Sequence, residues 1–272
     1  LAEARSLGAE KLDISGGEPT IRKDLAAIVK TAANLGYKTK LLTNGSLLTE
    51  RKLVELKENG LESIAISLDG STSEIHNLIR KKDEKEFEKT IESIKRVAAH
   101  GFYVKINTVV ANANLYNIPN IIELCKDLQV NEHRICYFTP TGRGLNNVDG
   151  VHPLLWLSFI RKNLLQYQKN EAIYIGIPFL EKNKATNTKC WLNEGIFPLH
   201  ISPNGNIYAC SIKASTNKQI GNIKNEALKE TIEKQIPTQE CCFGYKQHFA
   251  NLDTSYLKYV CPLKKFKLKE II

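Results

Sequence analysis

Residues 11–45, KLDISGGEPTIRKDLAAIVKTAANLGYKTKLLTNG, hold one complete strand–loop–helix–strand unit, and its reading decides the fold. Lys11–Ser15 is a short β-rich run that stops at Ser15-Gly16-Gly17-Glu18-Pro19, where two glycines and a proline break regular structure. Leu25, Ile28, Val29 and Ala32 follow at the three- and four-residue spacing of one helix face, which Gly36 ends. A second β-rich run, Thr39–Thr43, stops at Asn44-Gly45.

The unit then repeats. Further runs appear at Ser63–Leu68, Val104–Val110 and Arg134–Phe138. Helical stripes lie between them: Leu53 and Leu56; Phe87, Ile91, Ile94, Val97 and Ala98; then Ile118, Ile121, Ile122, Cys125 and Leu128. Asn59-Gly60 and Gly101 end the first two of these, suiting the left-handed closing position of a helix. Strands alternating with single helices imply parallel pairing, because each crossover returns the chain to the same edge. A doubly wound sheet and an open or closed barrel both satisfy that pattern. One more helix is expected over Leu154–Gln168. Beyond about residue 180, irregular Asn, Pro and Gly-rich spacing separates Cys190, Cys210, Cys241, Cys242 and Cys261, which marks a second, small module.

The chain has 272 residues, 42% hydrophobic and 25% charged, which is globular composition and excludes a disordered chain. No apolar run is long enough to span a membrane, and no basic segment followed by an apolar stretch opens the sequence; a cytoplasmic location is expected. The formal charge of +9 would suit nucleic acid, but lysines scattered over helix faces are ordinarily solvated surface, and no nucleic-acid recognition motif is present. Residue 1 is Leu and the chain contains no Met, so a fragment is expected. Seven cysteines without a secretion signal point to metal, cluster or redox roles rather than structural disulfides.

Parallel α/β folds bind ligands at the carboxyl ends of their strands. Here those ends carry Gly16-Gly17-Glu18-Pro19, Thr43-Asn44-Gly45, Ser67-Leu68-Asp69-Gly70, Asn107 and Thr139-Pro140-Thr141-Gly142-Arg143-Gly144. Adjacent glycines let a ligand reach backbone groups, Glu18 can accept from an ammonium group, and Ser67 or Asp69 can bind a ribose hydroxyl. Turn formation alone explains any one of these loops, but does not require Glu, Asn and Arg at one rim. The P-loop, dinucleotide, zinc-protease and serine-elbow motifs are absent.

Taken in order, LDISGGEPTIRKDL, LLTNGSLLT, AISLDGSTSEIHNLIR and VKINTVVANANLYNIPNII resemble the body of a radical S-adenosylmethionine (SAM) enzyme over about residues 1–145. The resemblance implies a partial parallel (β/α) barrel and reduction of SAM at a [4Fe-4S] cluster to give a 5′-deoxyadenosyl radical. It places Gly16, Gly17, Glu18 and Pro19 at the methionyl amino group and Thr43 and Asn44 beside the cofactor. Ser67 and Asp69 would address the ribose, Arg80 the carboxylate, and Asn107 the ribose or adenine region. The Cys-x3-Cys-x2-Cys loop that holds the family's cluster is absent from this chain. An upstream strand, the cluster loop and most of a first helix are therefore expected to precede Leu1, and the chain by itself is expected to be inactive.

In the tail, Cys190-x14-Gly205-x4-Cys210 resembles the opening of the SPASM and twitch extensions of that family. The intervening ISPNGNIYACS reads as a hairpin turning at Pro203-Asn204-Gly205. With Cys261 and one of the adjacent Cys241 and Cys242, the set supplies four thiolates for one auxiliary [4Fe-4S] cluster, or equally for a structural zinc. Cys125 and Cys136 read as buried core, and His76 and His133 as structural.

The expected organisation is thus a truncated barrel over residues 1–180 and a small Cys-rich α+β module over residues 181–272. The expected function is hydrogen abstraction in the modification or maturation of a peptide or protein, with no residue assigned to the chemistry itself. A tetrapyrrole or other cofactor-biosynthesis enzyme is the alternative, and a non-catalytic metal- or cluster-binding module is the alternative of another class. The expected partners are a peptide, protein or small-molecule substrate and an electron donor such as ferredoxin or flavodoxin, with no membrane.

Overall fold

The structure is a computed structural model that describes residues 1–80, 85–138, 149–169, 174–176, 199–209 and 219–235. The chain divides into two compact units, Leu1–Ile177 and Pro178–Ile272.

The first unit is built on six parallel strands: β1 (Lys11–Ile14), β2 (Lys38–Thr43), β3 (Ser63–Ser67), β4 (Tyr103–Val110), β5 (Glu132–Tyr137) and β6 (Tyr174–Gly176). They lie in the sheet in chain order, β1 to β6, each hydrogen-bonded to the next. A doubly wound sheet reverses its order partway to place helices on both faces. This one never reverses. Right-handed crossovers then put every helix on one side and curl the sheet around the other, giving an α/β partial barrel.

The helices are α1 (Ala2–Ser6), α2 (Leu25–Asn34), α3 (Glu50–Glu58), α4 (Ser73–Arg80), α5 (Glu86–Ala99), α6 (Ile118–Asp127) and α7 (Pro153–Phe159). Thr49 caps α3 by accepting from the Lys52 amide, and Gly36, Gly60 and Gly101 follow α2, α3 and α5 with positive φ as expected. The core lies between helices and sheet. Leu41, Ile64, Ile66, Val104 and Ile106 are buried on one sheet face, with Val29 and Ala32 of α2, Leu53 of α3, Ile94 and Val97 of α5, and Ile121 and Ile122 of α6.

Four details differ from the sequence reading. Helix α4 was hidden because its buried residue is His76, while Leu78 is exposed. On α5 the buried positions include Glu86, Thr90 and Ser93, whereas Phe87 and Ile91 are half-buried. The helix expected over Leu154–Gln168 is α only to Phe159, continuing as a π-helical turn to Leu164 and a tighter turn to Lys169. Strand β6 is too short to show a periodic signal.

The described part of the second unit is a three-stranded antiparallel sheet, β7 (His200–Ile201), β8 (Asn206–Tyr208) and β9 (Gly221–Asn222), followed by α8 (Leu228–Gln235). The hairpin expected around Pro203-Asn204-Gly205 is the β7–β8 connection. Gly205 has a φ of 92°, and a Cβ there would come within 2.8 Å of Asn222 Oδ1. Cys190, Cys210, Cys241, Cys242, Cys261 and the Thr139–Gly144 loop lie outside the described residues.

Candidate functional site

The strand ends form one rim, and Glu18 is its most tightly held side chain. Its Oε1 accepts from the Thr20 amide at 3.1 Å and from the Thr43 hydroxyl at 2.6 Å, with the Thr20 hydroxyl closer still. Its Oε2 accepts from the Asn44 amide at 2.9 Å. The carboxylate thus caps the short 3-10 turn Pro19–Ile21 and ties the loop after β1 to the end of β2. Oε2 keeps a lone pair for a further donor, because a carboxylate oxygen accepts more than one hydrogen bond.

Beside it, Gly16 has a φ of 152°, and a Cβ added at Gly16 or Gly17 would meet nothing within 4 Å. The glycine pair therefore opens onto free space. The second loop is fixed from within. Asn44 Oδ1 accepts from the Ser46 amide at 2.8 Å, and Ser93 of α5 donates to the Gly45 carbonyl at 2.8 Å. This contact is why α5 buries a serine. Gly45 has a φ of 86°, and a Cβ there would press on Ile66 and Ser93 at 3.3 Å.

At the third strand end, Asp69 is buried and all its polar atoms are engaged. Its Oδ1 accepts from the Val109 amide at 2.7 Å and its Oδ2 from Arg80 Nε at 2.6 Å. Its own amide donates to His76 Nδ1 at 3.2 Å, and its carbonyl accepts from Asn114 Nδ2 at 2.9 Å. A Cβ at Gly70 would collide with the His76 backbone amide nitrogen, so α4 packs directly against this corner. The two residues expected to touch different parts of a cofactor, Asp69 and Arg80, are bound to each other. Arg80 engages Asp69 through Nε and keeps its two terminal nitrogens.

Ser67 and Asn107 are in register on neighbouring strands and half-buried. Neither side chain has a hydrogen-bond partner among the described residues. Arg134 follows Asn107 in the same register on β5. Sequence reasoning missed Arg134; the signal was its position in a β-run, two residues from Cys136, in phase with Asn107.

Burial fixes the protonation of the neighbouring groups. Burial pushes the Cys136 thiol up to about 11; nearby Asp69 adds to that and Arg134 opposes it. Burial alone raises the Cys125 thiol. Both stay protonated near neutrality, as core thiols do, although Cys136 is half-buried on the open side of the sheet. His133 is fully buried on the helix side, and burial lowers its imidazole to about 3. Thr108 gives its one hydroxyl hydrogen to the Leu68 carbonyl at 2.6 Å, so it accepts from His133 Nε2–H at 2.8 Å. His133 is thus a neutral structural residue. No group of His, Cys, Asp and Glu among the described residues is placed to hold a metal ion, and no helix among them is long and apolar enough to cross a membrane.

Residues 1–125 match the family model described as the Radical SAM superfamily. Streptococcus suis SuiB bound to S-adenosylmethionine superposes with a TM-score of 0.67 at 17% identity, over 94% of this chain and 61% of SuiB. The same protein bound to precursor peptide SuiA gives 0.63 at 18% identity, over 84% of this chain and 55% of that one. Native anSMEcpe with bound AdoMet and Cp18Cys peptide gives 0.61 at 20% identity, over 83% and 68%. The chain thus spans little more than half the length of SuiB. Residues 1–125 thus match the Radical SAM superfamily model, and the chain shares the partial-barrel fold of SuiB and anSMEcpe.

Proposed function

We propose that this chain is the main part of a radical SAM enzyme that abstracts hydrogen from a peptide or protein substrate. The observation that carries the reading is the rim. Glu18 is clamped by Thr20, Thr43 and Asn44 with one lone pair open, beside a glycine pair facing free space. That arrangement fits SAM. Gly16, Gly17, Glu18 and Pro19 would receive its amino group, Thr43 and Asn44 would fix Glu18, and Ser67 and Asn107 would meet its ribose and adenine side. Arg80, steadied by Asp69, would offer its terminal nitrogens to the carboxylate. When bound and reduced at an iron–sulfur cluster, SAM supplies a 5′-deoxyadenosyl radical.

This chain has no Cys-x3-Cys-x2-Cys loop, and its two described thiols are held protonated, so the described residues do not fit that cluster. The auxiliary centre on Cys190, Cys210, Cys261 and one of Cys241 and Cys242 remains part of the proposal, as do a ferredoxin- or flavodoxin-like electron donor and a cytoplasmic location. A peptide substrate is favoured because SuiB and anSMEcpe, which share the fold, have been solved with peptides bound.

The test is anaerobic calorimetry of SAM binding to the full-length protein, followed by chromatography for 5′-deoxyadenosine after reduction. Binding that Glu18→Gln weakens about tenfold or more, from loss of a charge-assisted contact, supports the reading. Equal SAM affinity in both proteins, or no 5′-deoxyadenosine from a protein carrying its cluster, overturns it.

A further inference from the structure

The sheet face turned away from the helices carries a charged cluster that cofactor binding does not use. Register places Lys105 of β4 beside Glu132 of β5, and Asn107 beside Arg134 one layer closer to the rim. Glu132 is 9% exposed; its Oε2 receives Lys105 Nζ at 2.8 Å and its Oε1 lies 3.4 Å from Arg134 Nη2. One buried carboxylate therefore faces two cations, and the cluster keeps one positive charge. Lys105 is held from two sides, since its Nζ also sits 5.2 Å from the centre of the Tyr103 ring. Arg134 is the loosely held cation. Its side chain is 53% exposed and Glu132 is its single ion-pair partner among the described residues. The rest of its planar fork has no partner among the described residues, and it lies on the same row as Ser67 and Asn107, whose side chains also lack one among them.

We propose that Arg134 binds a carboxylate of the substrate, so that the substrate is an acidic peptide segment lying across this face next to the cofactor. The inference rests on the peptide-modifying reading above and adds the charge of the segment recognised. A guanidinium with free parallel N–H groups matches a carboxylate in bidentate fashion, which a solvated lysine does not. Glu132 sets the strength of the site, because it draws on both cations from within the sheet. Removing its charge frees them for the ligand. An ordinary surface arginine would not respond to Glu132 in this way.

The experiment measures anisotropy of a fluorescein-labelled, amidated octapeptide alternating Gly and Glu, against its Gly-Gln counterpart, on the full-length protein at low ionic strength. The Glu peptide is expected to bind at least about tenfold more tightly than the Gln peptide. Arg134→Gln should erase most of that preference and Arg134→Lys should keep part of it, while Glu132→Gln should strengthen binding several-fold. Lys95→Ala, on the exposed side of α5, should leave it unchanged. Arg134 is half exposed, and thermal melting checks that its variants and Glu132→Gln fold. If Arg134→Gln binds like wild type, or if Lys95→Ala weakens binding as much as Arg134→Gln, the proposal fails. SAM calorimetry on the same samples separates the two readings. SAM binding without Arg134 dependence removes the anion site alone, and Arg134 dependence without SAM binding removes the enzyme reading alone.

Discussion

Arg80 Nε lies 2.6 Å from Oδ2 of Asp69, a carboxylate only 1% exposed, so the guanidinium is anchored to the end of β3 by a buried ion. The eleven-residue separation is closed by α4, whose His76 receives the Asp69 amide. One carboxylate thus fixes β3, α4 and β4 at a single corner.

Breaking this pair by removing one partner should be costly, because the other charge stays buried. Arg80→Ala, which leaves the Asp69 carboxylate buried without its counter-ion, is expected to lose about 3–5 kcal/mol in urea unfolding. The double variant Asp69→Ala, Arg80→Ala should lose clearly less than the sum of the two single variants. Additive losses would mean that the two side chains do not interact.

The Glu18 clamp can be tested from its far side. Thr43→Val removes the hydroxyl that donates to Glu18 Oε1 at 2.6 Å and accepts from the Gly45 amide at 3.1 Å. SAM affinity should fall about tenfold with loss of roughly 1–2 kcal/mol of stability, and Thr43→Ser should restore both. Calorimetry and urea unfolding on the three proteins read the two effects separately.

His133 gives the fold a defined acid sensitivity. Its folded-state pKa of about 3 lies below the ordinary histidine value of about 6.5. The contribution is whole above the unfolded value and is lost as pH falls through the window between them, since only the unfolded chain takes up the proton. Between pH 7 and pH 5.5 this group alone should remove about 1 kcal/mol of unfolding free energy. His133→Gln should show a smaller drop over the same interval, and an identical drop would count against a buried neutral imidazole.

The sequence made β1 to β4 legible because each is a short run carrying Val, Ile or Leu and bounded by Gly, Asn or Asp, whereas β6 has only three residues. The helices α2, α3 and α6 were legible because their buried stripes are apolar. Where a polar residue does the burying, the pattern fails. His76 is the buried member of α4, and Ser93 faces the Gly45 carbonyl from α5. The rim residues were visible as a set, since five strand ends carried uncommon side chains. Their pairing was not. Hydrophobic spacing holds no trace of which donor meets which acceptor, so the pairing of Asp69 with Arg80 could not be read. Arg134 was overlooked for a related reason: which face of β5 is open depends on its register with β4.

The clamp on Glu18 also bears on the thermodynamics of ligand capture. Its carboxylate surrenders most of its hydration to Thr20, Thr43 and Asn44 as the chain folds. A cofactor ammonium arriving later meets a preorganised acceptor and need not strip water from a mobile side chain or freeze its rotamers. The loop after β1 and the end of β2 are already one body before the ligand enters. Association at this corner should therefore carry little ordering entropy, with its favourable part appearing as enthalpy.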